Sequence, residues 1–178
     1  YEEDLIPRIR DLIDGYDKDS ILKEYLQNAD TSGATELIVT FDKQQYPKLN
    51  YTYFEVANSN ALLLQNNSQF KEKDFNSIVK ISAQGKTKEA DSTGRFGQGF
   101  SSSFSISDHP SFISNGRAYW FDVHRSSVSK ERSKSIQGWD YTNSKEINDW
   151  LDTFNEVIDK NFKGTIFRLP LRNEITSK

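Results

Sequence analysis

The sequence predicts an α+β fold, a two-layer α/β sandwich in which helices cover one face of a mixed, mainly antiparallel sheet. Two amphipathic helical stretches open the chain, and short β-type runs bounded by turn residues follow. The regular βαβ alternation that a parallel sheet requires is missing. With 178 residues and no long compositional break, residues 1–178 read as one domain, long enough to bury a substantial core. Hydrophobic residues at 35% and aromatics at 13% are adequate for that.

Leu5, Ile6, Ile9, Leu12, Ile13 and Tyr16 recur at helical spacing, which places a first helix over residues 4–15, with Pro7 tolerated in its first turn. A second helix is capped by Asp19 or Ser20 and stops at Ser32-Gly33; Ile21, Leu22, Tyr25, Leu26 and Ala29 form its expected buried face. Leu37 to Phe41 reads as a short buried strand, and Tyr51 to Val56 and Ala61 to Leu64 as two more. Phe75, Ile78 and Val79 suggest a short helix, after which the polar stretch Ser82 to Thr93 reads as mobile. Phe100 and Phe104 lie one helical turn apart, and β-type runs follow at Ser111 to Ser114 and Ala118 to Val123. Arg125 to Gly138, rich in Ser, Lys and Arg, reads as a surface loop. Asn143 with Glu146 resembles a capping box before an amphipathic helix carrying Ile147, Trp150, Leu151, Phe154, Val157 and Ile158, and Gly164 to Leu171 is the final strand.

Composition narrows the function classes. Net charge is −3 with both signs interspersed, so neither a nucleic-acid stripe nor a basic membrane-surface helix is present. There is no cysteine, which excludes disulfides, zinc-thiolate sites and thiol nucleophiles, and a cytoplasmic setting fits. No apolar run approaches the roughly 20 residues of a membrane span. The chain starts at Tyr1 and has no methionine; the reading is of a fragment of a larger protein, or of a sequence from which some residues have been dropped.

Glu24 and Asn28 project from one side of the second helix, four residues apart at the rim of its apolar stripe. A carboxylate there can orient an attacking water, and an amide oxygen one turn along can ligate a hard cation without adding charge. Gly94, Gly97 and Gly99 fall within six residues just before Phe100, a spacing that lets backbone amides approach an anion closely. The cluster lacks the Lys-Ser/Thr ending of a P-loop, and taken alone it reads equally as a tight turn.

Together these segments resemble the GHKL ATPases, and within them the chaperone-type domain repeated in sacsin. Ile21-Leu-Lys-Glu24-Tyr-Leu-Gln-Asn28-Ala-Asp30 is similar to that family's N-box, and Gly94-Arg-Phe-Gly97-Gln-Gly99-Phe100 to its glycine box. Ser107 to Ser114, Phe121 to His124 and Gly164 to Arg172 are similar to sacsin-type segments in the same order. The resemblance implies a Bergerat-type sandwich that binds ATP with Mg²⁺. Glu24 would activate the hydrolytic water and Asn28 would bind Mg²⁺, with Asp30 as a further candidate. Ser82 to Thr93 would be the lid, in which Lys86 could meet a phosphate. Gly94, Arg95, Phe96, Gly97, Gln98, Gly99 and Phe100 would line the phosphates, the glycines through their backbone. Thr165 matches a threonine that helps hold adenine.

The chain departs from the family where most members carry an aspartate for the adenine amino group, since it reads Leu64-Gln-Asn66-Asn67-Ser-Gln-Phe70. Asn66 or Asn67 is the expected base contact, without the charge-assisted part of the bond. The function expected from the resemblance is a slowly hydrolysing ATPase domain, a conformational switch whose partners are ATP and ADP. Client or partner proteins would engage the rest of the chain, and dimerisation could follow nucleotide binding. The alternative is a binding module on the same fold that has lost turnover or nucleotide binding. A histidine-kinase reading ranks lower, because His109 and His124 fall in apparent loop and strand-end positions.

Overall fold

The computed structural model describes residues 20–52, 54–83, 100–122 and 136–172. Six strands form one sheet: β1 (Leu37–Asp42), β2 (Ala61–Asn66), β3 (Ser111–Ser114), β4 (Arg117–Phe121), β5 (Ile136–Asp140) and β6 (Thr165–Pro170). Their order across the sheet is β1-β2-β6-β3-β4-β5, and every described pairing is antiparallel. Helices α1 (Ile21–Thr31) and α2 (Glu72–Ala83) pack on one face, so the expected α/β sandwich is the architecture observed.

The alternation of β6 organises both faces. Phe167 and Leu169 enter a front core with Ile21 and Tyr25 of α1, Phe75 and Ile78 of α2, Leu64, Phe100, Phe104 and Phe112. Ile166 points the other way into a back core with Leu49, Phe54, Ala57, Trp120, Trp150 and Phe154. Because all six residues of β6 are buried, the strand reads as a continuous run with Arg168 as its one charge. The β3-β4 hairpin turns on Asn115 and Gly116, both at positive φ (45° and 83°), the conformation that Asn-Gly favours in a two-residue hairpin loop.

The back layer corrects three expectations. Tyr51 to Val56 is not a strand: two 3₁₀ turns, Pro47–Tyr51 and Glu55–Ala57, bury Leu49, Phe54 and Ala57 and leave Tyr51 in solvent. Proline fixes φ at the head of the first turn, and Thr52 bonds both the Leu49 carbonyl and the Phe54 amide, so the backbone closes locally instead of joining the sheet. The amphipathic helix over 147–158 breaks into a turn at Lys145–Ile147, a single α-helical turn α3 (Asn148–Leu151) and another 3₁₀ turn at Asp152–Phe154. Asn155 then takes a left-handed φ of 57° and ends it, leaving Val157 exposed. No capping box forms, because Asn143 donates its amide to Asp140 at 2.7 Å. Finally, Ile136 to Gly138 belong to β5 and not to a loop.

Two corrections concern the front layer. Leu22 and Leu26 lie outside the buried face of α1, which is Ile21, Tyr25, Asn28 and Ala29, and Ser20 makes no side-chain cap. Strand β1 is an edge strand exposed over most of its length, not a buried one. The expected helix at 4–15, most of the stretch 82–93 and residues 125–135 lie outside the described residues. Among the described residues no helix is long and apolar enough to cross a membrane.

A buried ion pair fastens β1 to β6 and the back layer. Arg168 donates to Asp42 at 2.9 Å and reaches the carbonyls of Thr153 and Ala57, with both charged side chains sealed from water. Burial lowers the pKa of the Arg168 guanidinium and Asp42 opposes the shift. Tyr46 donates to the same carboxylate at 2.8 Å, and its hydroxyl is pushed up to about 12, by burial first and by Asp42 next. Removing one partner strands the other in a dry core. Asp42→Ala is therefore expected to cost about 3–5 kcal/mol in urea unfolding; a loss under about 1 kcal/mol, the range of an exposed ion pair, would contradict this role.

Candidate functional site

Helix α1 is held so that one flank faces inward at the end of the sheet. Its C-terminus closes by a Schellman motif: Gly33 at φ 79° donates to the Asp30 carbonyl and Ala34 to that of Ala29, each at 3.0 Å. Tyr25 packs edge-on against Phe167 with centroids 4.8 Å apart, which seats the helix over β6. The Tyr25 hydroxyl meets Ser103 Oγ at 2.6 Å, linking α1 to the 3₁₀ turn Ser102–Ser105, and burial raises the phenol's pKa well above its ordinary value. Arg172 fixes that turn from the other side, bonding the carbonyls of Phe104 and Ser105 and the carboxylate of Asp108.

Asn66, Thr165 and Ser114 form one row across β2, β6 and β3 on the same face. They build the bend that leaves β2. Thr165 donates to the Ser68 carbonyl at 2.7 Å, Ser114 accepts from the Phe70 amide at 2.8 Å, and the two hydroxyls meet at 2.8 Å. Asn66 Oδ1 accepts from the Ser68 amide. Asn67 spends its side chain on Thr35, accepting from the amide at 2.9 Å and donating to the hydroxyl at 2.8 Å. Ser68 Oγ donates to the Ser32 carbonyl. The bend and the end of α1 are thus one hydrogen-bonded unit. Gly164, at φ 143°, begins β6 so close to Asn66 that a Cβ would lie 2.7 Å from its carbonyl oxygen.

On α1, Glu24 and Asn28 come together one turn apart, while the exposed Asp30 lies on the opposite side of the helix. The Asn28 side chain is buried and makes no hydrogen bond among the described residues; Glu24, half-buried, makes none either. Asn66 and Thr165 stand together, with Thr165 fully buried, and Asn67 is exposed. Phe100 is committed to the front core, its ring 4.8 Å from that of Phe121. Lys86, Gly94, Arg95, Phe96, Gly97, Gln98 and Gly99 lie outside the described residues. Sequence reasoning assigned no role to Ser68, Ser103 or Ser114; their partners are 36 or more positions away, and only the fold brings them together. Among the described residues no three His, Asp or Glu side chains cluster in a way that could hold a metal ion.

The arrangement defines an α+β domain whose helix layer presents a carboxylate and an unpaired amide above the polar end of an antiparallel sheet. The chain belongs to the sacsin domain family, whose model matches residues 2–178. It is 32% identical to sacsin of Homo sapiens over 183 residues, an alignment that covers 94% of this chain and 4% of the human protein. The chain therefore corresponds to a small part of that relative's length.

Thr165→Val keeps the shape of the side chain but leaves the Ser68 carbonyl unpaired. A loss of about 1–3 kcal/mol is expected in chemical denaturation, with faster amide exchange at residues 66–70; unchanged exchange there would show that Thr165 does not hold the bend.

Proposed function

We propose that this domain binds ATP with Mg²⁺ and hydrolyses it slowly, serving as a nucleotide-driven conformational switch in a larger chaperone-like protein of the GHKL, Bergerat-fold type. The observation that carries this reading is the Asn28 amide, buried and without a hydrogen-bond partner among the described residues, one turn from the equally unpaired Glu24. The Asn28 amide atoms are not among the polar atoms fully sealed from water, so a ligand can reach them without the fold opening. Asn28 would hold Mg²⁺ through Oδ1, a neutral oxygen ligand suited to a cation that takes its remaining oxygens from phosphates and water. Bound there, Mg²⁺ supplies charge neutralisation at the phosphate oxygens. Glu24 would accept the proton of the attacking water.

The backbone amides of Gly94, Gly97 and Gly99, with Lys86, would meet the phosphates, as the sequence resemblance implies. At the base end Asn66 is favoured over Asn67, because Asn67 has both ends of its amide engaged by Thr35. The Asn66 oxygen accepts one bond and keeps a second lone pair for an amino group. The absence of cysteine supports a cytoplasmic setting, and client proteins and nucleotide-dependent dimerisation belong to the same reading.

A second reading, a binding module without turnover, is favoured by the base end. No carboxylate stands at residues 64–70, and both asparagine oxygens already accept hydrogen bonds. Titration with Mg-ATP separates the two. Nucleotide at about 100 times Kd should stabilise the fold by about 2.7 kcal/mol, and Asn28→Ala should remove the Mg²⁺-dependent part. Glu24→Ala should retain binding and lose turnover about 100-fold. No heat and no stabilisation at millimolar Mg-ATP would favour the second reading, and turnover as fast in Glu24→Ala as in the parent would sink the role given to Glu24.

A further inference from the structure

Asn66, Thr165 and Ser114 continue the rows of Leu64, Phe167 and Phe112, so these three polar side chains lie on the sheet face that carries α1. This end of the face is neutral: from Leu64 to Phe70 the chain holds no charged residue. What it offers a ligand depends on which protons and lone pairs the protein already uses.

Thr165 has a single hydroxyl proton, which goes to the Ser68 carbonyl at 2.7 Å. The 2.8 Å contact between Thr165 and Ser114 is then donated by Ser114, which in turn accepts from the Phe70 amide. Neither hydroxyl has a proton left for a ligand. Asn66 differs. It is 6% exposed, and its Oδ1 accepts from the Ser68 amide at 2.9 Å. A backbone N–H can only donate, so this contact fixes which end of the side-chain amide is oxygen and which is nitrogen. Nδ2 makes no hydrogen bond among the described residues and is not sealed from water. Asn66 therefore keeps two N–H donors and one Oδ1 lone pair in reserve. Asn67 has no such reserve, because Thr35 holds both ends of its amide.

On the nucleotide reading, on which this inference rests, Asn66 meets the six-position of a purine. We propose that Asn66 makes base recognition indifferent to whether that position carries an amino group or a carbonyl, so that the site takes 6-oxopurine nucleoside triphosphates on a par with ATP. An amino group donates to the remaining lone pair of Oδ1, and a ring carbonyl accepts from Nδ2. A carboxylate in the same place has acceptors only: it bonds an amino group and sets its lone pairs against those of a carbonyl. Aspartate and asparagine are nearly equal in size, so the discrimination lies in the donor and the charge, not in the shape.

Inosine triphosphate tests this, since it differs from ATP only in its 6-oxo group and the proton on N1. Calorimetric Kd values of the intact protein for Mg-ATP and for the magnesium complex of inosine triphosphate should agree within about threefold. Asn66→Asp keeps an acceptor for the Ser68 amide and removes both donors; in it ATP should bind at least about tenfold tighter than inosine triphosphate. A loss of stability alone weakens both nucleotides together and leaves their ratio in place. A parent protein that prefers ATP by more than about threefold would overturn this inference and leave the nucleotide reading standing. A ratio unchanged by Asn66→Asp would overturn it too, because the base would then not meet residue 66. Binding of neither nucleotide at millimolar concentration would overturn it together with the nucleotide reading.

Discussion

The double burial of β6 is the constraint on which the rest of the molecule depends. A central antiparallel strand with no solvent face must place every side chain, and each position of β6 has a distinct task. Thr165 holds the bend after β2, Phe167 seats α1 through Tyr25, and Arg168 anchors the back layer through Asp42. Two residues beyond the strand, Arg172 fixes the turn at 102–105, to which Tyr25 is also bonded. One strand thus positions the helix that carries Glu24 and Asn28, the bend that carries Asn66, and the segment that follows the glycine cluster.

Polar groups around the site divide into two kinds. Those of the bend satisfy one another: Thr165, Ser114, Ser68 and Asn67 all bond within the protein. Asn28 does not, although it is the more deeply buried amide of Asn28 and Asn67. A self-satisfied bend thus lies beside an amide that makes no hydrogen bond among the described residues.

Much of this was legible in the sequence, and the failures have physical causes. The phase of α1 followed from its 3.6-residue period, so Glu24 and Asn28 were placed together, but periodicity does not give the width of the buried stripe, and Leu22 and Leu26 fell outside it. Tyr51 to Val56 has the composition of a strand, yet the turn at Pro47–Tyr51 and the anchoring of Phe54 against Trp150, stacked with centroids 4.7 Å apart, fold it locally. The 147–158 pattern is helical in its apolar residues but is interrupted by the left-handed backbone at Asn155. Ser103 and Ser114 gave no signal because a serine near a glycine-rich segment looks the same whether its partner is water or a side chain 78 positions away. The polar anatomy of the bend depends on pairings between strands far apart in sequence, and composition carries none of that.

On the proposed nucleotide reading, Asn28 is the open position and Asn67 a closed one. Nuclear magnetic resonance of the asparagine side-chain amides, recorded as Mg-ATP is added to the intact protein, tests it most directly. The Asn28 amide signals should shift in a Mg²⁺-dependent, saturable way while those of Asn67, tied to Thr35, stay in place. Asn28 signals that do not move at millimolar Mg-ATP, or that move less than those of Asn67, would contradict it.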